Sequence, residues 1–160
     1  MALYNLQISD GRFSIQPNLS YYTKIKTFLA GIFLCYAVVP FLPIAHDIKV
    51  ALYIFAAGLC CYVVYEFLFL ANVTMIFDQG TRKVYKKTPG IYTKTLMDFE
   101  EIRLVNDTSY GELTYTIGAK NTRFINSYPI SEPFSNTKKG HREQLEYETT
   151  ILGPLMEFVK

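Results

Sequence analysis

The 160-residue sequence is poor in the residues that most often carry chemistry or staple a small fold. It has two histidines, His46 and His141, and three cysteines, Cys35, Cys60 and Cys61. The cysteines all fall inside apolar runs, where a thiol behaves as a small apolar group. Their number and spacing fit neither a structural zinc site nor a disulfide framework. No G-x-S-x-G element and no glycine-rich phosphate cradle occurs. A formal charge of +2 is too small to argue for nucleic acid, and the basic residues form no stripe interleaved with aromatics. The expectation is therefore no catalytic residue, no metal, no cofactor and no nucleic-acid partner.

What the chain does have is two long apolar runs. Residues 27–45 carry no charge, and residues 50–71 are interrupted only by Glu66. Each is close to the ~20 residues that a helix needs to cross a hydrocarbon core. Only Ala45-His46-Asp47-Ile48-Lys49 separates them. Residues 24–72 thus read as a transmembrane helical hairpin, with spans over about 27–44 and 50–71. The alternative is a pair of buried helices in a soluble protein, but only some 115 residues remain to cover them. Pro40 frees the carbonyl of Tyr36, and Pro43 disfavours helix at Leu42, so the first span is expected to kink and to stop near Ile44. Asp47 is expected to cap the second.

Lys24 and Lys26 precede the hairpin, Arg82, Lys83, Lys86 and Lys87 follow it, and the turn offers only Lys49. By the positive-inside rule both termini are expected on the cytoplasmic side of the membrane, in a multi-pass protein. His46 and His141 then lie on opposite sides and share no site. The leading segment has no signal-peptide pattern, so the first span is expected in the mature protein. Glu66 falls at the depth of Lys24 and Lys26, making Glu66 with Lys24 or Lys26 a candidate intramembrane polar pair.

Outside the hairpin the pattern is β. Residues 1–23 are read as a β-hairpin and lead-in, with Leu6, Ile8, Phe13 and Ile15 alternating on either side of Asp10-Gly11. Such a pair is marginal alone and should pack on the later domain or on a partner. In residues 73–160, Val73, Met75 and Phe77 alternate before the turn at Asp78-Gln79-Gly80-Thr81. Further strands are expected over 82–87, 91–97, 103–106, 113–117 and 124–130, with turns at 106–111 and at Lys120-Asn121. A loop over 131–140 leads to a C-terminal helix over 141–159, broken at Gly153-Pro154.

Phe77-Asp78-Gln79-Gly80-Thr81-Arg82-Lys83-Val84 resembles the opening of bacterial pleckstrin-homology-like (PH-like) domains, and Phe99-Glu100-Glu101-Ile102 is similar to the step they use to enter the next strand. Many members of that group carry a transmembrane hairpin upstream. The resemblance implies a membrane protein with a two-helix transmembrane hairpin and a cytoplasmic antiparallel β-rich PH-like domain closed by one C-terminal helix. The scaffold serves lipid binders, docking modules and assembly subunits alike.

The leading functional expectation is a non-enzymatic inner-membrane protein whose PH-like domain docks a protein partner, as adaptor or accessory subunit of a membrane assembly. The alternatives are an immunity protein neutralising a secreted toxin at the inner membrane, a phospholipid-binding module, and an enzyme using Asp98, Glu100 and Glu101. The expected partners are the lipid bilayer and a protein, either a membrane-complex subunit or a toxin. The oligomeric state is open. Candidate headgroup or partner contacts are Arg82, Lys83, Lys86 and Lys87 beyond the second span, and Lys138, Lys139 and Arg142 beside His141. Tyr85, Tyr92, Tyr110, Tyr115 and Tyr128 are candidate interface aromatics.

Overall fold

The computed structural model describes residues 3–109, 111–119 and 127–160. Tyr110, the turn expected at Lys120-Asn121 and the start of the strand expected over 124–130 lie outside the described residues. The chain divides into two compact units, one formed by Ser20–Asn72 and the other by the residues before Ser20 together with Val73–Lys160.

The first unit is a pair of antiparallel helices. α1 (Ser20–Val38) begins well ahead of the apolar run and ends in a 3-10 turn at Val39–Phe41. α2 (His46–Glu66) continues into a π-helical turn at Phe67–Ala71. The first helix stops at Val38 instead of kinking and running on to Ile44. Pro40 has no N–H to offer the preceding turn, and the chain tightens until Leu42 N–H bonds Val39 O at 3.2 Å. Lys49 Nζ then satisfies the Pro40 carbonyl at 3.0 Å. Asp47 does not cap α2. Ala45 holds that position, and Asp47 sits in the first turn, where a carboxylate still favours the helix dipole.

Contacts climb the pair in antiparallel order: Tyr36 stacks on Tyr53 with ring centroids 5.5 Å apart, Phe28 meets Tyr62 at 6.2 Å, and Tyr22 meets Phe67 at 6.3 Å. Ile25, Ile32, Ala56 and Val63 are buried. Ser20–Phe41 and His46–Ala71 are long and apolar enough to cross a membrane, at 22 and 26 residues, or about 33 and 39 Å of helix.

The second unit holds two antiparallel sheets. β1 (Gln7–Ser9), β2 (Arg12–Ile15), β3 (Thr74–Asp78), β4 (Lys83–Thr88) and β5 (Tyr92–Asp98) form one in that order. β6 (Ile102–Ser109), β7 (Glu112–Ala119) and β8 (Ser127–Pro129) form the other. Asp10 at φ 49° and Gly11 at φ 71° make the tight turn between β1 and β2, the two positive φ values that a two-residue hairpin loop requires. Phe13 lies opposite Phe77 and Ile15 opposite Met75, all four buried, so the N-terminal strands extend the sheet of the later domain.

A 3-10 turn at Phe99–Glu101 joins the sheets. β6 runs to Ser109, beyond the expected 103–106, because β7 pairs with it residue for residue from Ile102 to Ser109. Asp107 and Thr108, read from composition as turn, are strand. Tertiary pairing outweighs their weak β-propensity.

α3 (Lys138–Tyr147), a π-helical turn at Glu148–Leu152 and α4 (Gly153–Val159) form the C-terminal helical segment. It begins at Lys138 because Thr137 caps it, accepting the Gly140 N–H on its hydroxyl at 3.1 Å. Tyr147, Ile151 and Leu155 enter one core with Phe13, Phe77, Ile117 and Ile130. Tyr147 donates its hydroxyl to the Ile130 carbonyl at 2.7 Å and lies against Tyr4, Phe134 and Tyr115. Burial pushes the Tyr147 and Tyr4 hydroxyls well above the usual phenol range.

Candidate functional site

The helical pair carries a polar site. Glu66 is 1% exposed and reaches Lys24 Nζ at 2.6 Å through Oε1. Tyr62, one turn earlier on α2, donates its hydroxyl to the same oxygen at 2.5 Å. The ammonium lies over the rings of Tyr21, Phe28 and Tyr62 at 5.3, 5.9 and 5.7 Å, so its charge is compensated by the carboxylate and three aromatic faces. Glu66 Oε2 is buried without a hydrogen-bond partner among the described residues. Lys26 is exposed and forms no ion pair among the described residues. Of the three candidates, Lys24 and Glu66 meet and Lys26 does not join them. At the end of the π-helical turn, Asn72 Nδ2 bonds the Phe67 carbonyl at 3.0 Å and Asn72 Oδ1 accepts from Tyr22.

The basic residues after the helices separate into two kinds. Arg82 bonds Glu100 at 2.8 Å and lies over the Phe99 ring at 5.7 Å, and Lys83 faces Asp98 at 3.7 Å. Asp98 and Glu101 also form a capping box around the 3-10 turn. The Glu100 carboxyl is held below the usual range by its own backbone N–H and by Arg82. The acidic group Asp98, Glu100 and Glu101 thus serves as counter-charge and cap.

Among the described residues, Lys86 and Lys87 have no such partners. Lys86 lies directly opposite Lys94 across the β4–β5 pair, a like-charge juxtaposition that costs stability unless an anion relieves it. Lys86, Lys87 and Lys94 form no ion pair among the described residues. Lys94 does not stand out in the sequence, although folding the chain back about Gly90 places 94 across from 86.

Lys138 and Lys139 are in the first turn of α3, not in a loop. Lys139 approaches Glu143 at 3.6 Å, and His141 hydrogen-bonds Asn136 at 3.1 Å. Arg142 is exposed. Among the candidate aromatics, Tyr92 is exposed, Tyr85 donates to Thr81, and Tyr115 is a core residue whose hydroxyl donates to Glu148.

A groove of about 290 Å³ lies on the larger sheet, lined by residues that include Gln7, Ser14, Gln16, Thr74, Ile76 and Lys87. It was invisible in sequence because it needs the N-terminal strands placed beside β3 and β4. Among the described residues, no group of three or more His, Cys, Asp or Glu is placed to hold a metal. No protein-family model matches the chain, and no curated protein matches its sequence.

Proposed function

We propose that the chain is a two-span protein of a bacterial inner membrane whose helical hairpin anchors a cytoplasmic PH-like domain, and that this domain docks a protein partner as adaptor or accessory subunit of a membrane assembly. The observation that carries the membrane reading is the exposure of large apolar side chains on both helices: Phe33 is 76% exposed and Ile54 68%. A core helix of a soluble protein is mostly buried, whereas only 17% and 22% of the most apolar stretch of each helix is covered. Large exposed apolar surfaces mark membrane or partner contact, and a bilayer covers both helices at once. The Lys24–Glu66 pair supports the same reading, since charges at bilayer depth are found paired. The excess of Lys and Arg on the flanks over the turn supports cytoplasmic termini.

Alkaline extraction of membranes from bacteria expressing the full chain tests the anchor. The protein is expected to stay in the pellet, and release into the wash would overturn the membrane reading. Purification in mild detergent then tests docking: a stoichiometric protein partner is expected, and a chain that carries only phospholipid would overturn it. That second outcome points to Lys86, Lys87 and Lys94. Their unpaired charge favours a phospholipid-headgroup reading, in which Lys86→Gln with Lys94→Gln abolishes preferential retention of anionic lipid by the full chain in detergent. Retention unchanged by these substitutions would sink that reading.

A further inference from the structure

The free side of β6 has the properties of a self-complementary edge. Among the described residues β6 pairs with β7 on one side only, and residues 103–108 are all exposed. Its main-chain directions follow from its neighbours. Tyr115 turns its N–H to Ser131 Oγ at 2.9 Å and its carbonyl to the Ile130 N–H at 2.9 Å, away from β6. Asn106, opposite Tyr115, therefore belongs to a pair that exchanges no backbone bonds with β7. Since these directions alternate along an antiparallel strand, the N–H and C=O groups of Leu104 and Asn106 point to the open side. No backbone hydrogen bond to that side occurs among the described residues.

We propose that a second copy of this chain pairs with β6, antiparallel and in the register that sets Val105 against the partner's Val105. In that register Leu104 and the partner's Asn106 exchange both backbone hydrogen bonds, and two-fold symmetry repeats the exchange. Arg103 then lies opposite the partner's Asp107, twice, on the face that also carries the central valines. The order basic, apolar, acidic at positions 103, 105 and 107 is complementary only to its own reversal, and opposite charges directly across a sheet stabilise the pair. The other long edge lacks this property. β5 carries Lys94 near its middle, and self-pairing centred there sets lysine against lysine. β1 is only three residues long, and β8 carries Pro129. Natural edges are blunted by bulges, prolines or lone charges, and β6 has neither proline nor bulge.

The test uses the full chain in detergent with Cys35, Cys60 and Cys61 replaced by alanine. In the proposed register the Val105 Cα atoms lie ~4.5 Å apart, inside the disulfide range, while the two Leu104 Cα atoms lie beyond its limit of ~7 Å. Val105→Cys is expected to form a disulfide-linked dimer under copper-phenanthroline oxidation, and Leu104→Cys is not. Sedimentation velocity provides a second, cysteine-independent reading. Arg103→Asp alone and Asp107→Arg alone should each weaken self-association at least about tenfold, because each sets like charges together twice. Mixing the two variants, or combining both changes in one chain, should restore it. These positions are exposed, so circular dichroism is expected to stay unchanged. Equal cross-linking at 104 and 105, charge reversals without effect, or cross-linking of Val105→Cys in cells to a different polypeptide instead of itself would overturn the proposal.

Discussion

Lys24 Nζ lies 2.6 Å from Glu66 Oε1 across 42 positions of sequence, tying the start of α1 to the end of α2. The two partners are unequal: the lysine side chain is 46% exposed and the glutamate 1%. Lys24→Met leaves a buried carboxylate without its counter-ion and should cost about 3 kcal/mol, as for other broken buried pairs. Glu66→Gln strands only an ammonium that can reach water or headgroups, and should cost about 1 kcal/mol. The double variant should recover most of the loss. Denaturant titration in detergent of all four proteins checks this as a double-mutant cycle, and additive losses would remove the pair from the hairpin's stability.

Asp78 closes the β3–β4 turn. Its Oδ1 accepts the N–H groups of Gly80 at 2.9 Å and Thr81 at 3.3 Å, and its Oδ2 meets Arg12 at 3.0 Å. Burial alone would raise the carboxyl's pKa, but the Thr81 N–H, Arg12 and the Gly80 N–H together outweigh it, and the net shift is down from 3.8. A carboxylate depressed in the folded state contributes stability that is full above its unfolded pKa, near 3.8, and is lost as pH falls through the lower folded value. Asp78→Asn should lower the unfolding midpoint at pH 6 and reduce its fall between about pH 4 and pH 2. Midpoints measured across that range check it.

Gly140 is tight for a spatial reason. A Cβ placed there would lie 2.0 Å from the Ser135 carbonyl oxygen, so Gly140→Ala must displace the loop that caps α3. The expected loss is ~1–3 kcal/mol despite the better helix propensity of alanine. Thr137→Ala, which removes only the cap, should cost ~1 kcal/mol. Thermal unfolding distinguishes them, and a stabilised Gly140→Ala protein would refute the crowding.

Tyr147 is fully buried with its hydroxyl on the Ile130 carbonyl at 2.7 Å. Tyr147→Phe keeps the ring contacts and strands a buried acceptor, for an expected loss of ~1–2 kcal/mol. Tyr147→Ala also opens a cavity among Tyr4, Tyr115 and Phe134 and should cost ~3–5 kcal/mol. Equilibrium unfolding of both variants separates ring from hydroxyl.

The parts legible in sequence were those fixed by local chemistry. Asp10-Gly11 announced its turn because two positive φ values leave few residues to choose from. The runs 27–45 and 50–71 announced two helices because no charge except Glu66 interrupts them, and its depth offered Lys24 and Lys26 as partners, of which Lys24 meets it. What depended on long-range register was not legible. The docking of Phe13 and Ile15 on Phe77 and Met75, and the juxtaposition of Lys86 with Lys94, both require knowing which strands are neighbours. Asp107 and Thr108 misled for the complementary reason: their side chains favour turns in isolation, and β7 holds them extended.

The π-helical turn at Glu148–Leu152 has a consequence for the length of the chain. Tyr147, Ile151 and Leu155 are spaced by four, and at ~100° per residue each step overshoots an α-helical face by ~40°. The wider turn, in which the Gly153 N–H reaches the Glu148 carbonyl, takes up that drift, and Pro154 then falls in the first turn of α4, where a missing N–H is harmless. Deleting the exposed Thr150 would bring the same three side chains to spacings of three and four, the stripe that an unbroken α-helix buries. Pro154 would then sit in a helix interior, so the deletion should be accepted only together with Pro154→Ala. Two chain lengths, 160 residues and one fewer, therefore encode the same buried face, and the irregular turn is how the longer one keeps its phase.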